Sequence, residues 1–148
     1  MRISAKGRYA LAAMVDMAQY HKSGDSVTLV SISERLGISK IYLEQVFSLL
    51  KRAGLVTSVK GAAGGYLLSR KPEDITALDV LSAVELSLFE EAGSAVEAKA
   101  PEIDAAMQRL AFIPMDDAVK TALSKVTLPD LLQEAARSKA DQSYMFFI

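Results

Sequence analysis

The sequence predicts a mainly α-helical chain with one small β-hairpin. Three observations predict it. Apolar residues recur at helical spacing through the first fifty positions, two short β-rich runs flank a glycine-rich loop, and amphipathic helical stretches fill the second half.

The first segment, about 7–21, carries Tyr9, Ala10, Ala13, Met14, Met17 and Ala18 on a helical stripe, and Lys22-Ser23-Gly24-Asp25 closes it with a turn. Leu29, Ile32 and Leu36 form a second, short stripe that stops at Gly37. Ser39 then stands where its hydroxyl can accept from a free backbone N–H and cap the next helix, about 40–53. That helix puts Leu43, Val46, Phe47 and Leu50 on one face, and Gly54 falls where a left-handed residue ends it. Two helices joined by a short glycine-containing turn predict a helix-turn-helix. Residues 55–59 and 66–69 are β-rich, with Lys60-Gly61-Ala62-Ala63-Gly64-Gly65 between them. A hairpin directly behind the second helix makes a wing. Residues 1–72 are therefore expected to form a winged helix-turn-helix domain with an additional N-terminal helix.

The composition changes at Pro72. Thr76-Ala77-Leu78-Asp79 is a capping box with aspartate for glutamate, starting a helix to about Val84. Residues 86–101 predict a loop, 102–112 a helix ending before Pro114, and Thr127-Leu128-Pro129-Asp130 a last helix to about Arg137. Between them Met115, Ala118, Val119, Ala122, Leu123 and Val126 repeat at helical spacing. Packing under its own domain is one use of this stripe. The stronger expectation is a long dimerisation helix, with Met115, Val119, Ala122, Leu123 and Val126 meeting the same helix of a second copy, because the N-terminal module leaves it few partners. Residues 73–137 read as a sensor loop with dimerisation helices, and 138–148 as a C-terminal tail ending Tyr144-Met145-Phe146-Phe147-Ile148.

Charge separates the halves. Residues 1–71 hold 11 Lys/Arg against 4 Asp/Glu, and residues 72–148 hold 6 against 14, although the 148-residue chain nets only −1. A +7 segment joined to a −8 segment points to an anion-binding module beside one with another task. Cys 0 excludes disulfides, thiol nucleophiles and thiolate metal sites. No apolar run approaches the roughly 18–20 residues that span a bilayer, and no signal-type stretch follows the N-terminal charges. A soluble, cytoplasmic protein without a membrane partner is expected.

A basic helix-turn-helix predicts double-stranded DNA as partner. The second helix offers Lys40, Tyr42, Glu44, Gln45 and Ser48 away from its apolar stripe, most of them in the turns that enter a major groove. Glu44 can accept from the cytosine amine and Gln45 can pair with adenine, while Ser39 and Tyr42 suit phosphates or base edges. A carboxylate near phosphates is repelled unless it reads a base, which singles out Glu44. Arg2, Lys6 and Arg8 are expected on phosphates, and Lys60 at the wing on a phosphate or in a minor groove. Docking of the same helix and wing on another protein is the competing use of this surface. The Gly61–Gly65 loop is no nucleotide cradle, since it lacks Gly-Lys-Ser/Thr and enters a strand. Catalysis has little to work with. His21, the one histidine, sits at a helix end, and Glu90/Glu91 and Asp116/Asp117 lie on polar segments.

Tyr42-Leu43-Glu44-Gln45, Lys51-Arg52-Ala53-Gly54-Leu55-Val56 and Lys60–Leu68, preceded by Met1–Ala10 and followed by Ile75–Val80, make the chain similar to one family. It resembles the bacterial winged-helix transcriptional regulators of the IscR/NsrR/CymR family, along nearly its whole length and most closely in the IscR branch. The resemblance implies a homodimeric DNA-binding regulator in which Glu44 helps to read DNA. The chain departs from the branch at Ile41, where serine is usual, and at Lys60, where wings carry arginine. It also lacks the three cysteines that hold an iron–sulfur cluster before the dimerisation helix. Ala92, Ala100 and Ala106 stand at a fitting spacing, with Ala98 an equally spaced rival. Two readings follow: a cysteine-less apo form of an iron–sulfur regulator whose parent carries the cluster, or a naturally cluster-free regulator of the CymR kind controlled by a protein partner or small molecule. In either, this chain holds no cofactor.

Overall fold

The computed structural model describes residues 3–62, 64–90 and 96–146. Helix α1 (Ala5–Ala18) begins at Ser4, whose hydroxyl accepts from Gly7 N at 3.2 Å. After a 3₁₀ turn at His21–Ser23, α2 (Leu29–Leu36) starts under a second cap, Thr28 Oγ1 accepting from Ser31 N at 3.1 Å. Gly37 ends α2 with φ of +69°, a left-handed conformation that a Cβ would strain. Ser39 then caps α3 (Lys40–Arg52) as expected, accepting from Tyr42 N at 3.2 Å. The turn between α2 and α3 is therefore fixed at both ends by local chemistry.

Strands β1 (Val56–Val59) and β2 (Gly65–Leu68) pair antiparallel, Val56 with Leu68 through Val59 with Gly65. Val27 adds a one-residue bridge to Tyr66, exchanging hydrogen bonds of 2.9 and 2.8 Å. The wing is tied to α3 by Phe47, whose ring lies 4.8 Å from that of Tyr66, and by Lys51 Nζ donating to Ser58 Oγ at 2.9 Å.

Helix α4 (Ala77–Val84) begins with the anticipated capping box, Thr76 and Asp79 each accepting from the other's backbone N–H. Its start is fastened to that of α7 (Leu128–Phe146). Ala77 N donates to Val126 O at 2.8 Å and Leu128 N to Ile75 O at 3.1 Å. The core consequently runs on past residue 72. Ile75, Val80, Val84 and Leu128 are buried in one cluster with Ala10, Met14, Ile32, Leu43, Phe47 and Leu50.

Two expectations about the second half are corrected. Pro114 does not separate two helices: α5 (Pro101–Met107) passes through a π-helical turn at Gln108–Phe112 into α6 (Ile113–Ser124) without a break. Proline has no N–H and its ring collides with the carbonyl four residues back. The wider turn, in which Ile113 N reaches Gln108 O, relieves the demand for regular bonding just ahead of it. The last helix does not stop near Arg137 either, since α7 continues to Phe146. Arg137 pairs with Glu134 and, at 3.4 Å, with Asp141, spacings that support a helix through the polar stretch where no apolar stripe signals one. Arg137 is held further above its ordinary pKa and Glu134 below its own, each first by their shared hydrogen bond.

Candidate nucleic-acid interface

Helix α3 is held from behind by α1, α2, α4 and both strands of the wing. Leu43, Val46, Phe47 and Leu50 are buried against them. The opposite face is left to solvent, and Ser39, Lys40, Glu44, Gln45 and Ser48 are all exposed on or beside it. Lys40 Nζ lies 4.0 Å from Glu44 Oε1, a loose surface pair worth little to stability and free to part when a base or phosphate arrives. Tyr42 departs from the expected set. It is half-buried, its ring edge-on to Tyr9 at 5.1 Å, so it braces α3 against α1.

Of the cations assigned to phosphates, Lys60 is exposed at the end of β1 and Lys6 is half-buried in the first turn of α1. Arg8 is exposed but lines a groove between α1 and α7. Arg2 lies outside the described residues. So does Ala92; Ala100 is half-buried at the start of α5 and Ala106 is exposed on it. These positions do not fit an iron–sulfur cluster. They present methyl groups, the chain has Cys 0, and among the described residues no group of His, Asp or Glu could hold a metal ion.

The dimerisation set divides. Met115 and Ala122 are exposed, whereas Val119 and Leu123 are half-buried on α6, which touches α4 of its own chain, and Val126 is half-buried just past the end of that helix. The larger exposed ridge lies upstream, at Ile103, Met107, Leu110 and Ile113, with Leu110 80% exposed. Ile103, Met107 and Leu110 stand at i, i+4 and i+7, a spacing visible in the sequence, and only Ile113 lies beyond the π turn that shifts the period.

Two supporting contacts also escaped that reading. Asp16 is buried and accepts from Arg35 and Gln19, holding the Arg35 guanidinium still more firmly protonated through their hydrogen bond. Glu85, at the end of α4, accepts from Ser4 N at 2.9 Å and from the Ser4 hydroxyl, joining the region before residues 91–95 to the first turn of α1. Asp16 on an alanine- and methionine-rich helix was a visible signal. Nothing in the sequence pointed to Glu85.

The arrangement matches a described family. The model of Rrf2, an iron-dependent transcriptional regulator, fits residues 3–134. The chain belongs to the Rrf2 family. It is 41% identical over 149 residues to the transcriptional regulator CymR of Bacillus subtilis, covering 100% of both chains. The solved structure of that CymR, described as the global cysteine regulator of B. subtilis, superposes with a TM-score of 0.70 at 38% identity, covering 90% of this chain and 98% of the other. IscR of Aliivibrio salmonicida is 52% identical over 88 residues, 60% of this chain and 52% of the relative, so the chain spans about half the length of that IscR. The T. potens IscR structure has a TM-score of 0.69 at 36% identity, covering 99% of this chain and 96% of that one. The Rrf2 relatives are transcriptional regulators with winged helices, not enzymes, which supports DNA as a partner of this chain. Among the described residues no helix is long and apolar enough to cross a membrane.

Proposed function

We propose that the chain works in the cytoplasm as a homodimer. It reads a pseudo-palindromic duplex site of about two dozen base pairs with its two α3 helices and needs no iron–sulfur cluster. Glu44, Gln45, Ser48 and Lys40 face base edges, Ser39 and Tyr42 face phosphates or base edges, and Arg2, Lys6, Arg8 and Lys60 neutralise phosphates. One observation carries the cluster-free reading: a chain with Cys 0 matches CymR along the full length of both proteins. On this reading it controls genes of cysteine metabolism under a protein partner or small molecule.

Two apolar surfaces support the dimer. The ridge around Leu110 lies on the α5–α6 helix, and a groove of about 630 Å³ between α1 and α7 is lined by Leu11, Val15, Leu131 and Leu132. A two-fold contact buries ridge in groove twice, whereas a lone chain leaves both in water. Val119, Ala122 and Leu123 extend the same helix toward the partner.

The test is competitive binding to promoters of cysteine-biosynthesis genes and of cluster-assembly genes, with random duplex as competitor. Selective retention of the first class is expected. Equal affinity for random sequence rejects base reading, and then the protein-docking use of the surface stands.

The second reading is a cysteine-substituted IscR form. It draws on the spacing of Ala92, Ala100 and Ala106, on Pro101 directly after Ala100, and on the likeness to the T. potens IscR over 99% of this chain. Restoring all three cysteines (Ala92→Cys, Ala100→Cys, Ala106→Cys) and reconstituting under anaerobic conditions gives a coloured protein on that reading and a colourless one on the first.

A further inference from the structure

We propose that Ile41 reads the 5-methyl group of a thymine in the major groove, making it a specificity-determining residue of the interface. This rests on the DNA-reading role proposed for α3.

Ile41 is 72% exposed, in the first turn of α3. The core face of the helix is set by Leu43, Val46, Phe47 and Leu50, and at about 100° per residue Ile41 points almost directly away from it. Its neighbours on that outer face are Glu44, Gln45 and Ser48, at the i+3, i+4 and i+7 positions, all exposed and all able to hydrogen-bond. A large apolar side chain thus stands among the groups that face base edges.

Neither folding nor helix formation explains it there. Ile41 is absent from the buried core, and a β-branched residue forms helix less readily than alanine. A solitary exposed isoleucine elsewhere would mean nothing. Here the position decides. The first turns of a recognition helix lie deepest in the major groove, and the thymine 5-methyl is the one apolar group that a base pair displays there. Contact with it removes methyl surface on both sides from water and discriminates against any base lacking the methyl. Glu44 and Gln45 can meanwhile hydrogen-bond neighbouring bases, so polar and apolar readout share one face.

Replacing thymine by deoxyuridine deletes that methyl and nothing else. An operator is first selected from a random-sequence pool with the native protein, and each thymine of a half-site is then replaced in turn. The native protein is expected to lose about fourfold in affinity at one position per half-site, and about fifteenfold when both half-sites are changed, the equivalent of one buried methyl each. Ile41→Ala is expected to bind thymine and deoxyuridine duplexes alike at that position, and Ile41→Val to keep part of the preference. The side chain is outside the core, so far-ultraviolet circular dichroism should match the native protein for both variants.

Selective binding that is blind to every thymine replacement overturns this inference alone. So does an Ile41→Ala protein that still discriminates at the sensitive position. Failure to enrich any sequence from the pool overturns the DNA-reading assignment of α3 and this inference with it.

Discussion

Asp16 and Arg35 form a two-pronged ion pair that bolts the first helix to the second. Arg35 Nε lies 3.0 Å and Nη2 2.7 Å from the two carboxylate oxygens of Asp16. Gln19 Nε2 donates to the same carboxylate at 3.2 Å, and the Tyr20 ring lies 4.7 Å from Arg35 Cζ. Asp16 is 4% exposed while the Arg35 side chain is 32% exposed, so the pair is closed on the carboxylate side and wet on the other. Since α2 packs on α3, the pair helps to set the angle at which α3 is presented.

Removing one partner should therefore cost far more than removing both. Arg35→Met leaves a buried carboxylate with only Gln19 and should destabilise by about 3 kcal/mol, the low end for such losses because Arg35 is partly solvated. For a chain of this size that is roughly 6–12 °C in Tm, read at fixed protein concentration. Asp16→Leu combined with Arg35→Met should recover most of it. A double variant no more stable than Arg35→Met would mean that the pair is not the source of the loss.

The helix-turn-helix was legible because its determinants are local. Ser39, Gly37 and Thr76 act within a few residues of themselves, and the stripe through Leu43, Val46, Phe47 and Leu50 has a period that one sequence displays. What could not be read joins distant positions. Arg35 reaches back nineteen residues to Asp16, Glu85 reaches eighty-one to Ser4, and Val27 pairs with Tyr66 through backbone atoms that carry no sequence mark. The exposed face of α3 was legible as a set of polar residues. Tyr42 is half-buried rather than exposed because its ring packs on Tyr9, a contact between α3 and α1 that no local pattern marks.

Gly7 makes a test of the Glu85 contact through the sign of an effect. Alanine for glycine inside a helix ordinarily stabilises by about 1 kcal/mol. Here a Cβ would fall onto Glu85 Oε1 and within 2.7 Å of Ile3 Cγ2. Gly7→Ala should instead destabilise by about 1–3 kcal/mol as an overpacked contact, seen as a lower urea midpoint. Adding Glu85→Ala should remove part of that penalty. A higher midpoint for Gly7→Ala alone would show that the Glu85 carboxylate does not hold its place over Gly7 in solution.

Glu44 and Lys60 should fail in different ways when truncated. Glu44→Ala should cost about 1–3 kcal/mol on the cognate site and relax the preference at one base pair per half-site, with binding to random duplex retained. Lys60→Ala should weaken cognate and random duplex alike. It should also flatten the slope of log K against log salt by about 0.9 for each phosphate no longer neutralised. Titrations at four salt concentrations separate the two. A uniform loss for Glu44→Ala would remove it from base reading.

Leu110→Asp isolates assembly from folding. Leu110 is 80% exposed within the π turn and absent from the core, so a carboxylate there meets water in the single chain. In a two-fold dimer the same carboxylate loses its water against the leucines and valine of the groove, a cost that Arg8 and Lys139 in the lining offset only in part, once from each side. Sedimentation velocity at micromolar concentration should show monomers with unchanged helical dichroism. Cognate affinity should fall steeply, because each half-site is then bound without the effective concentration its twin supplies. Val126→Asp makes the contrast. Val126 is half-buried beside the backbone bond that ties α4 to α7, so its loss should lower Tm as well as assembly. A Leu110→Asp protein that still sediments as a dimer would move the interface away from the α5–α6 ridge.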